Sequence, residues 1–507
     1  MKNPNSVAPT APYANRAASG AGAILLAFAL ALPACAASPA KGAPAGPPYQ
    51  ATGVKVGEVA QTSAIVWARL TRNPARLKQG VKLIKAPKDE VQADPEEKGK
   101  NALELPPGAS VDEIEGAVPG APGEARVVYW AQGQEAKKIE TPWKAVGPDH
   151  DFACQFRLQG LSPNTEYGFR VECRAAAQGP EGPAMDGRFR TAPAPDEPAR
   201  VVFTVVTGQE YFDRDGEEGH KIYPQMAALK PSFFVHTGDI VYYDGHNPIA
   251  KSIELARYKW NRIYGLPLLI EFHRVVPSYF IKDDHDTWQN DCWPTLQNNK
   301  MGDFTFKQGQ AVFLDEVPMG ESTYRTVRWG KDLQIWLPEG RDFRSPNTMP
   351  DGPDKTIWGA EQKAWFKKTV QDSDAAFRVL ISPTPIVGPD REAKADNHAN
   401  KAFATEGKEI RQFVSAQKNM VIVCGDRHWQ YMSVDPETGA REYSCGPTTD
   451  KHSGGFKEKV EAYHRYFKVC GGFLSATVER LNGLPTLVFR HHYVDGQVLF
   501  EDRLTAE

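Results

Sequence analysis

A chain of 507 residues with an apolar fraction of 41% can bury two or three cores, which excludes a wholly disordered protein. Its 60 Lys and Arg nearly balance 63 Asp and Glu, so no global field selects nucleic acid or an anionic membrane as a stable partner. Function has to be sought in local sites.

At the N-terminus, Lys2 and Arg16 precede an apolar stretch over residues 21–34, then small residues and a Pro/Ala/Gly-rich run to Pro48. That order predicts a signal peptide over residues 1–36 and a flexible segment over 37–48. The stretch is shorter than the roughly 20 residues a membrane-spanning helix needs, so the expectation is an exported protein, periplasmic or extracellular. Ala34-Cys35-Ala36 suits ordinary signal peptidase, while Leu32-Pro33-Ala34-Cys35 resembles a lipobox and leaves a lipid anchor at Cys35 open. The later cysteines are spaced at long, irregular intervals, against a zinc cluster of the Cys-x-x-Cys kind.

Residues 49–194 read as short alternating runs between turn residues, as in GVKVGEVAQTSAIVWARL, ARVVYWAQ and DFACQFRLQGLSPNTEYGFRVECR. Period-two alternation predicts an all-β domain. Leu161-Ser162-Pro163-Asn164-Thr165-Glu166-Tyr167 resembles the tyrosine corner of fibronectin type III domains, whose hydroxyl ties down a sandwich corner. Residues 78–123 are charged and rich in Gly and Pro, and read as a surface insertion. Cys154 and Cys173 share the strand-face parity of apolar neighbours (Phe152 and Phe156; Phe169 and Val171), so a disulfide between them is expected.

Thr191-Ala192-Pro193-Ala194-Pro195-Asp196-Glu197-Pro198 is a linker, and over residues 200–507 strands alternate with helices. ARVVFTVVTG and PSFFVHTGDIVYYDG are buried strands around a helix at 221–229. SYFIKDDHD, LQIWLPEGRDF, the amphipathic WGAEQKAWFKKTV, FRVLISPTP, a helix at 407–416 and NMVIVCGDRH follow. This order predicts an α/β sandwich with mixed sheets.

Three of these strands end in metal-type ligands: His236-Thr237-Gly238-Asp239, Lys282-Asp283-Asp284-His285-Asp286 and Cys424-Gly425-Asp426-Arg427-His428. Gly-Asp after a strand is commonly a turn and alone says little. The acidic run from Asp283 is different, because neighbouring like charges repel unless a cation or exposure compensates them. Strand ends in α/β proteins gather at one sheet edge, so three runs can converge on one cleft. Oxygen and imidazole donors suit calcium, iron, manganese or zinc without a thiolate. A bound metal lowers the pKa of water, giving hydroxide at neutral pH, and screens the charge that repels attack on phosphate.

GDIVYYDG, KDDHDTWQND and GDRH, in this order and spacing, resemble the motifs of the PhoD-like branch of the calcineurin-type metallophosphatases. GRDFR and TIWGAEQKAWFKKTV resemble that family's arginine motif and LGxxQxxWL helix, and the N-terminal sandwich resembles the domain that precedes it. The resemblance implies a metallophosphatase-type α/β sandwich with mixed sheets behind an all-β, fibronectin III-like domain. It also implies metal-dependent hydrolysis of a small phosphate ester, as a phosphomonoesterase or phosphodiesterase. A phospholipase D-like phosphodiesterase and a non-catalytic metal- or phosphate-binding protein are the alternatives. No protein partner is inferred.

Residue by residue, the resemblance implies that Asp239 bridges two metal positions and that Tyr242 corresponds to the family's iron-binding tyrosinate. Asp284 stands where the superfamily has the asparagine of GNHD, and His285 where it has the catalytic histidine, here the general acid. Asp426 and His428 complete the ligands in place of GHxH. Asn290 is a candidate contact to phosphate or metal, with a turn asparagine as the alternative. Arg341 and Arg344 parallel the family's DxRxxR and are expected to hold phosphate oxygens, an internal salt bridge being the alternative for Arg341. The family's metal-binding cysteine is missing: its place reads Thr207-Gly208-Gln209-Glu210. Gly208 has no side chain to offer, so Glu210 or Asp213 is expected to substitute. The expected cofactors are divalent ions, calcium, manganese or zinc, with iron as the alternative if Tyr242 ionises. Asp396-Asn397-His398-Ala399-Asn400 reads as a loop over the cleft or a helix cap. Trp288, Trp293 and Trp429 read as pocket walls or as packing around strand ends.

Overall fold

The computed structural model describes residues 46–86, 102–320, 322–456 and 458–506. The expected signal peptide, Cys35, most of the segment at 37–48 and the charged centre of the insertion lie outside the described residues. Among the described residues, no helix is long and apolar enough to cross a membrane.

The central strands after the linker are apolar on both faces, which a sheet tolerates only when both faces are covered. Each alternates between two cores. Phe203 and Val205, Phe233 and Val235, and Tyr279 and Ile281 enter one core, while Val206, Phe234 and Phe280 enter another. In the second half of the chain Ile335, Val379, Ile381, Val421 and Val423 join the first core, and Trp336, Leu380 and Ile422 enter a third. The shared core lies between two sheets and the outer two lie under helices, giving four layers. Ile222–Ala228, Ile253–Tyr264, Pro267–His273 and Phe306–Glu316 cover the first sheet, and Gly359–Gln371 and Ala404–Ser415 the second.

The first sheet has nine strands, in spatial order Val498–Thr505, Leu484–His492, Phe473–Leu481, Val201–Val206, Phe233–His236, Ser278–Phe280, Val54–Gly57, Ser63–Arg69 and Ala153–Gln159. The second has seven: Arg325–Trp329, Leu333–Leu337, Phe377–Ser382, Met420–Cys424, Arg441–Cys445, Gln430–Val434 and His464–Lys468. Parallel pairing runs through both centres, with Phe203 opposite Phe233, Phe234 opposite Ser278, and Val379 opposite Val421. Parallel strands carry all their C-terminal ends to one edge, which brings residues 207, 237, 281 and 425 together.

The N-terminal strands form a sandwich of Val54–Gly57, Ser63–Arg69 and Ala153–Gln159 against a sheet built on Met185–Arg190, Glu166–Arg174 and Gly123–Ala131. The Tyr167 hydroxyl accepts a hydrogen bond from the Ser162 amide at 2.9 Å, the corner contact its sequence suggests. The sandwich also finishes a helix of the layer beside it. Helix ends leave orphan carbonyls, and those of Asp315 and Glu316 accept from Trp67 Nε1 and Lys55 Nζ, each at 2.6 Å. Alongside, Asp151 takes two bonds from Arg69 and one from Asn261 Nδ2 at 2.7 Å, all out of solvent.

Two expectations need correction. The insertion is anchored at both described ends: Ile84–Lys85 pairs with Leu103–Glu104, and Ile114 and Ala117 are buried against Tyr258. The six described cysteines are free thiols. Cys154 lies opposite Ala68 in one sheet and Cys173 opposite Ala125 in the other. Facing the same core is not enough for a bond, because packed sheets stand about 10 Å apart and a disulfide needs Cβ atoms roughly 4 Å apart.

Replacing Asp151 with Ala strands the Arg69 guanidinium in the interior, a loss of about 3–5 kcal/mol. Asp151→Ala is therefore expected to lower the melting temperature clearly, and thermal unfolding indistinguishable from the wild type would contradict this account of the contact.

Candidate metal centre

Each ligand run is bent into place by backbone that its residues make feasible. Phe233–His236 ends in Thr237-Gly238-Asp239, with Gly238 at φ 110° and Asp239 at φ 54°. A Cβ on Gly238 would lie 2.4 Å from Asp283 Cβ, so only glycine lets the two runs approach so closely. Asp426, after Met420–Cys424, also takes the left-handed region at φ 51° and donates its amide to Thr207 Oγ1. The run at 283–286 is held by Asp286, whose oxygens accept from the amides of Asp283 at 2.6 Å and Ile240 at 3.3 Å. Asp286 is thus a strut between runs.

The result is one crowded acidic centre. Ligand atoms of Asp239, Asp284 and His285 lie within 4.8 Å of one another, as do those of Asp239, Asp283 and Asp426. Asp239 belongs to both groups, as a bridging ligand must. Its Oδ2 is also 3.6 Å from His428 Nε2, and Tyr242 Oη is 3.3 Å from the same nitrogen. Burial raises the Asp239 carboxyl well above the ordinary range; His285 opposes this, and Asp284, Asp426 and Asp286 add to it. Burial likewise lifts Asp426 to about 6, against the pull of Arg427. Asp239 Oδ1 and Asp283 Oδ2 are buried with no hydrogen-bond partner. Orphaned carboxylate oxygens among other carboxylates, with imidazole and phenol beside them, are a donor set that divalent cations fit.

His285 lines the cleft, and its Nδ1 is 2.6 Å from Asp244 Oδ1. Burial alone would lower this imidazole, but the charges of Asp244, Asp284 and Asp239 hold its pKa well above the ordinary value. Asp244 also accepts the Asn290 amide at 2.9 Å, so Asn290 sits at the cleft wall. The cleft itself is about 360 Å³, and Arg391, Lys394 and Lys451 bring positive charge to it.

The arginines expected at substrate lie elsewhere. Arg341 is fully buried behind the acidic runs, paired with Asp283 at 2.5 Å, Asp396 at 3.5 Å and Asp284 at 3.7 Å. Its segment is drawn there because Lys282 grips Glu339 at 2.6 Å and Asp342 at 2.5 Å. Arg344 donates to the Asp396 carbonyl and to Asn347, also out of solvent. Asp396 is consumed by these contacts and His398 by Glu406 at 3.0 Å, so this segment braces the centre and does not overhang it.

Glu210 does not serve the centre either. Its carboxylate caps the short turn Tyr211–Asp213, accepting from the Phe212 amide at 3.2 Å. Asp213 does reach the cleft, where its Oδ2 is 3.0 Å from Nδ1 of His452. Trp429 lines the cleft and stacks on Phe456 at 5.3 Å, whereas Trp288 is buried with its Nε1 on the Phe304 carbonyl. Trp293 is half-buried. Sequence reasoning missed Asp244 and His452; Asp244 is two residues beyond Tyr242 in the same acidic loop, but His452 follows no strand directly.

The family model described as PhoD-like phosphatase matches residues 203–469, and that of the PhoD-like phosphatase N-terminal domain matches residues 34–193. Among solved structures, the chain is similar to one titled Structure of PhoD, at 15% identity and a TM-score of 0.66 over 92% of this chain and 90% of that chain. It is also similar to purple acid phosphatase PPD1 from seeds of yellow lupin (Lupinus luteus), at 12% identity and a TM-score of 0.60 over 89% and 74%. No curated protein matches the chain. With a family model matched over more than half its length, at the edge where its acidic runs meet, this chain belongs to the PhoD-like phosphatase family.

Proposed function

We propose that this PhoD-like phosphatase hydrolyses small phosphate esters at the cleft beside Asp239, with His285 as the general acid. The observation that carries this reading is the meeting of three strand-end runs on one buried carboxylate, Asp239, next to the His285 imidazole. Divalent cations, when bound, supply hydroxide from water and screen the phosphate charge. Asp239, Asp284, Asp426 and His428 are the residues that would hold them, with Tyr242 beside His428.

The chain's own groups do the rest. Asp244 fixes the His285 ring through Nδ1 and favours its protonated form, leaving Nε2 as the nitrogen that delivers a proton to the leaving oxygen. Arg391, Lys394 and Lys451 take the role expected of Arg341 and Arg344, attracting phosphate to the cleft. Arg341, locked to Asp283, Asp284 and Asp396, orients the acidic runs. With the signal expected over residues 1–36, the reaction takes place outside the cytoplasm.

Asp239→Asn should remove bound metal and turnover together while leaving the circular dichroism spectrum unchanged; full metal content with full turnover contradicts the reading. For His285→Asn, turnover of an alkyl phosphate is expected to fall by about 10²- to 10⁴-fold. A nitrophenyl phosphate, whose leaving oxygen needs no proton, should be affected far less, and equal losses on both substrates would show that His285 is not the acid. When cells are fractionated, the protein is expected outside the cytoplasm with its N-terminus at Cys35 or Ala37; a chain that retains Met1 and stays in the cytoplasm speaks against export.

A further inference from the structure

Beyond the residues assigned above, we infer that His452, oriented by Asp213, is a metal ligand that completes the Tyr242 and His428 side of the centre. This rests on the cation site proposed for Asp239 and names a ligand for it that none of the three strand-end runs contains. Nε2 of His452 is 2.7 Å from Tyr242 Oη, and the His452 and His428 rings lie 4.3 Å apart, centre to centre. Tyr242 Oη is in turn 3.3 Å from His428 Nε2, which is 3.6 Å from Asp239 Oδ2. One phenol, two imidazoles and one carboxylate thus follow one another in a chain of close contacts from His452 to Asp239, and three of the four belong to the centre already described.

Two further features fit a ligand better than a packing histidine. Asp213 Oδ2 is 3.0 Å from Nδ1 of His452. A carboxylate on the outer nitrogen fixes the tautomer and turns the Nε2 lone pair inward, the arrangement metal-bound histidines commonly have. Gly208, at φ +55°, faces the same place: a Cβ there would lie 3.0 Å from His428 Nε2 and 3.3 Å from His452 Cδ2. A side chain at 208 would therefore enter the space these rings fill, and none is present to donate. The loop carrying His452 is fastened to that very position, with the Thr448 amide and hydroxyl both donating to the Gly208 carbonyl at 3.1 Å. The donor that position 208 lacks is delivered by a different segment, anchored on position 208 itself.

A second imidazole changes the metal this half of the centre takes. Calcium draws on oxygen ligands, whereas paired imidazoles with oxygen donors suit zinc and its first-row neighbours. The test is metal binding without turnover. Chelator-stripped wild type, His452→Ala, His452→Gln, Asp213→Asn and Asp239→Asn are titrated with Zn²⁺ against a competing indicator, and the Co²⁺-loaded forms are compared by visible absorption. The wild type should bind about two ions per chain. Both His452 variants should lose one of them or hold it far more weakly, with an altered Co²⁺ spectrum. Asp213→Asn should weaken the same ion by about 10- to 100-fold. Wild-type affinity and an unchanged Co²⁺ spectrum in both His452 variants overturn the inference and leave the Asp239 site standing. A wild-type protein that binds neither ion overturns that site, and this inference with it.

Discussion

Bringing carboxylates together out of water is the constraint around which this molecule is arranged. Asp239, Asp283 and Asp284 are buried, with the half-buried Asp426 beside them in one small volume, where like charges repel strongly and hydration is lost. From behind, Arg341 neutralises Asp283 and Asp284, and Arg427 pairs with Asp426. These cations leave Asp239 unmatched, with one oxygen lacking any partner, on the side that opens to the cleft. Attraction for divalent ions follows from that imbalance, while the pKa of His285 is raised first by its partner Asp244 and then by Asp284 and Asp239.

The fold is what makes so unfavourable a cluster persist. Parallel strands at the centre of two sheets deliver the runs to one edge, and a shared core of interleaved apolar side chains keeps the sheets in register. Glycine at 238 and left-handed backbone at Asp239 and Asp426 provide the last few ångströms of approach. The N-terminal sandwich contributes from a distance, by closing the end of the helix Phe306–Glu316 with Lys55 and Trp67.

Much of this could be read from the sequence, for a physical reason. Strands covered on both faces are apolar throughout, and polar ligand types at their ends stand out against that background; the runs carrying Asp239, Asp284, His285, Asp426 and His428 are legible in this way, and the structure brings them to one edge. The orientation of a long side chain carries no such signal. Arg341 and Arg344 have the composition of a phosphate clamp, yet whether a guanidinium points into a cleft or behind it is decided by partners far along the chain, such as Lys282 and Asp396. Glu210 was the nearest acid to the empty position 208, but its own turn claims its carboxylate. His452 lay 244 residues from Gly208 by numbering, and the one hint to it was the missing donor itself. Cys154 and Cys173 show the same limit: parity reports the face a residue occupies and nothing of what stands opposite across the core.

The claim that the buried acidic centre exists to hold cations is tested most directly by elemental analysis of the purified protein, before and after chelation and with hydrolysis of a phosphate ester followed in parallel. The account predicts about two divalent metal ions per chain, loss of hydrolysis when they are removed, and recovery when a divalent ion is returned. Full hydrolysis by a protein shown to be metal-free would contradict it.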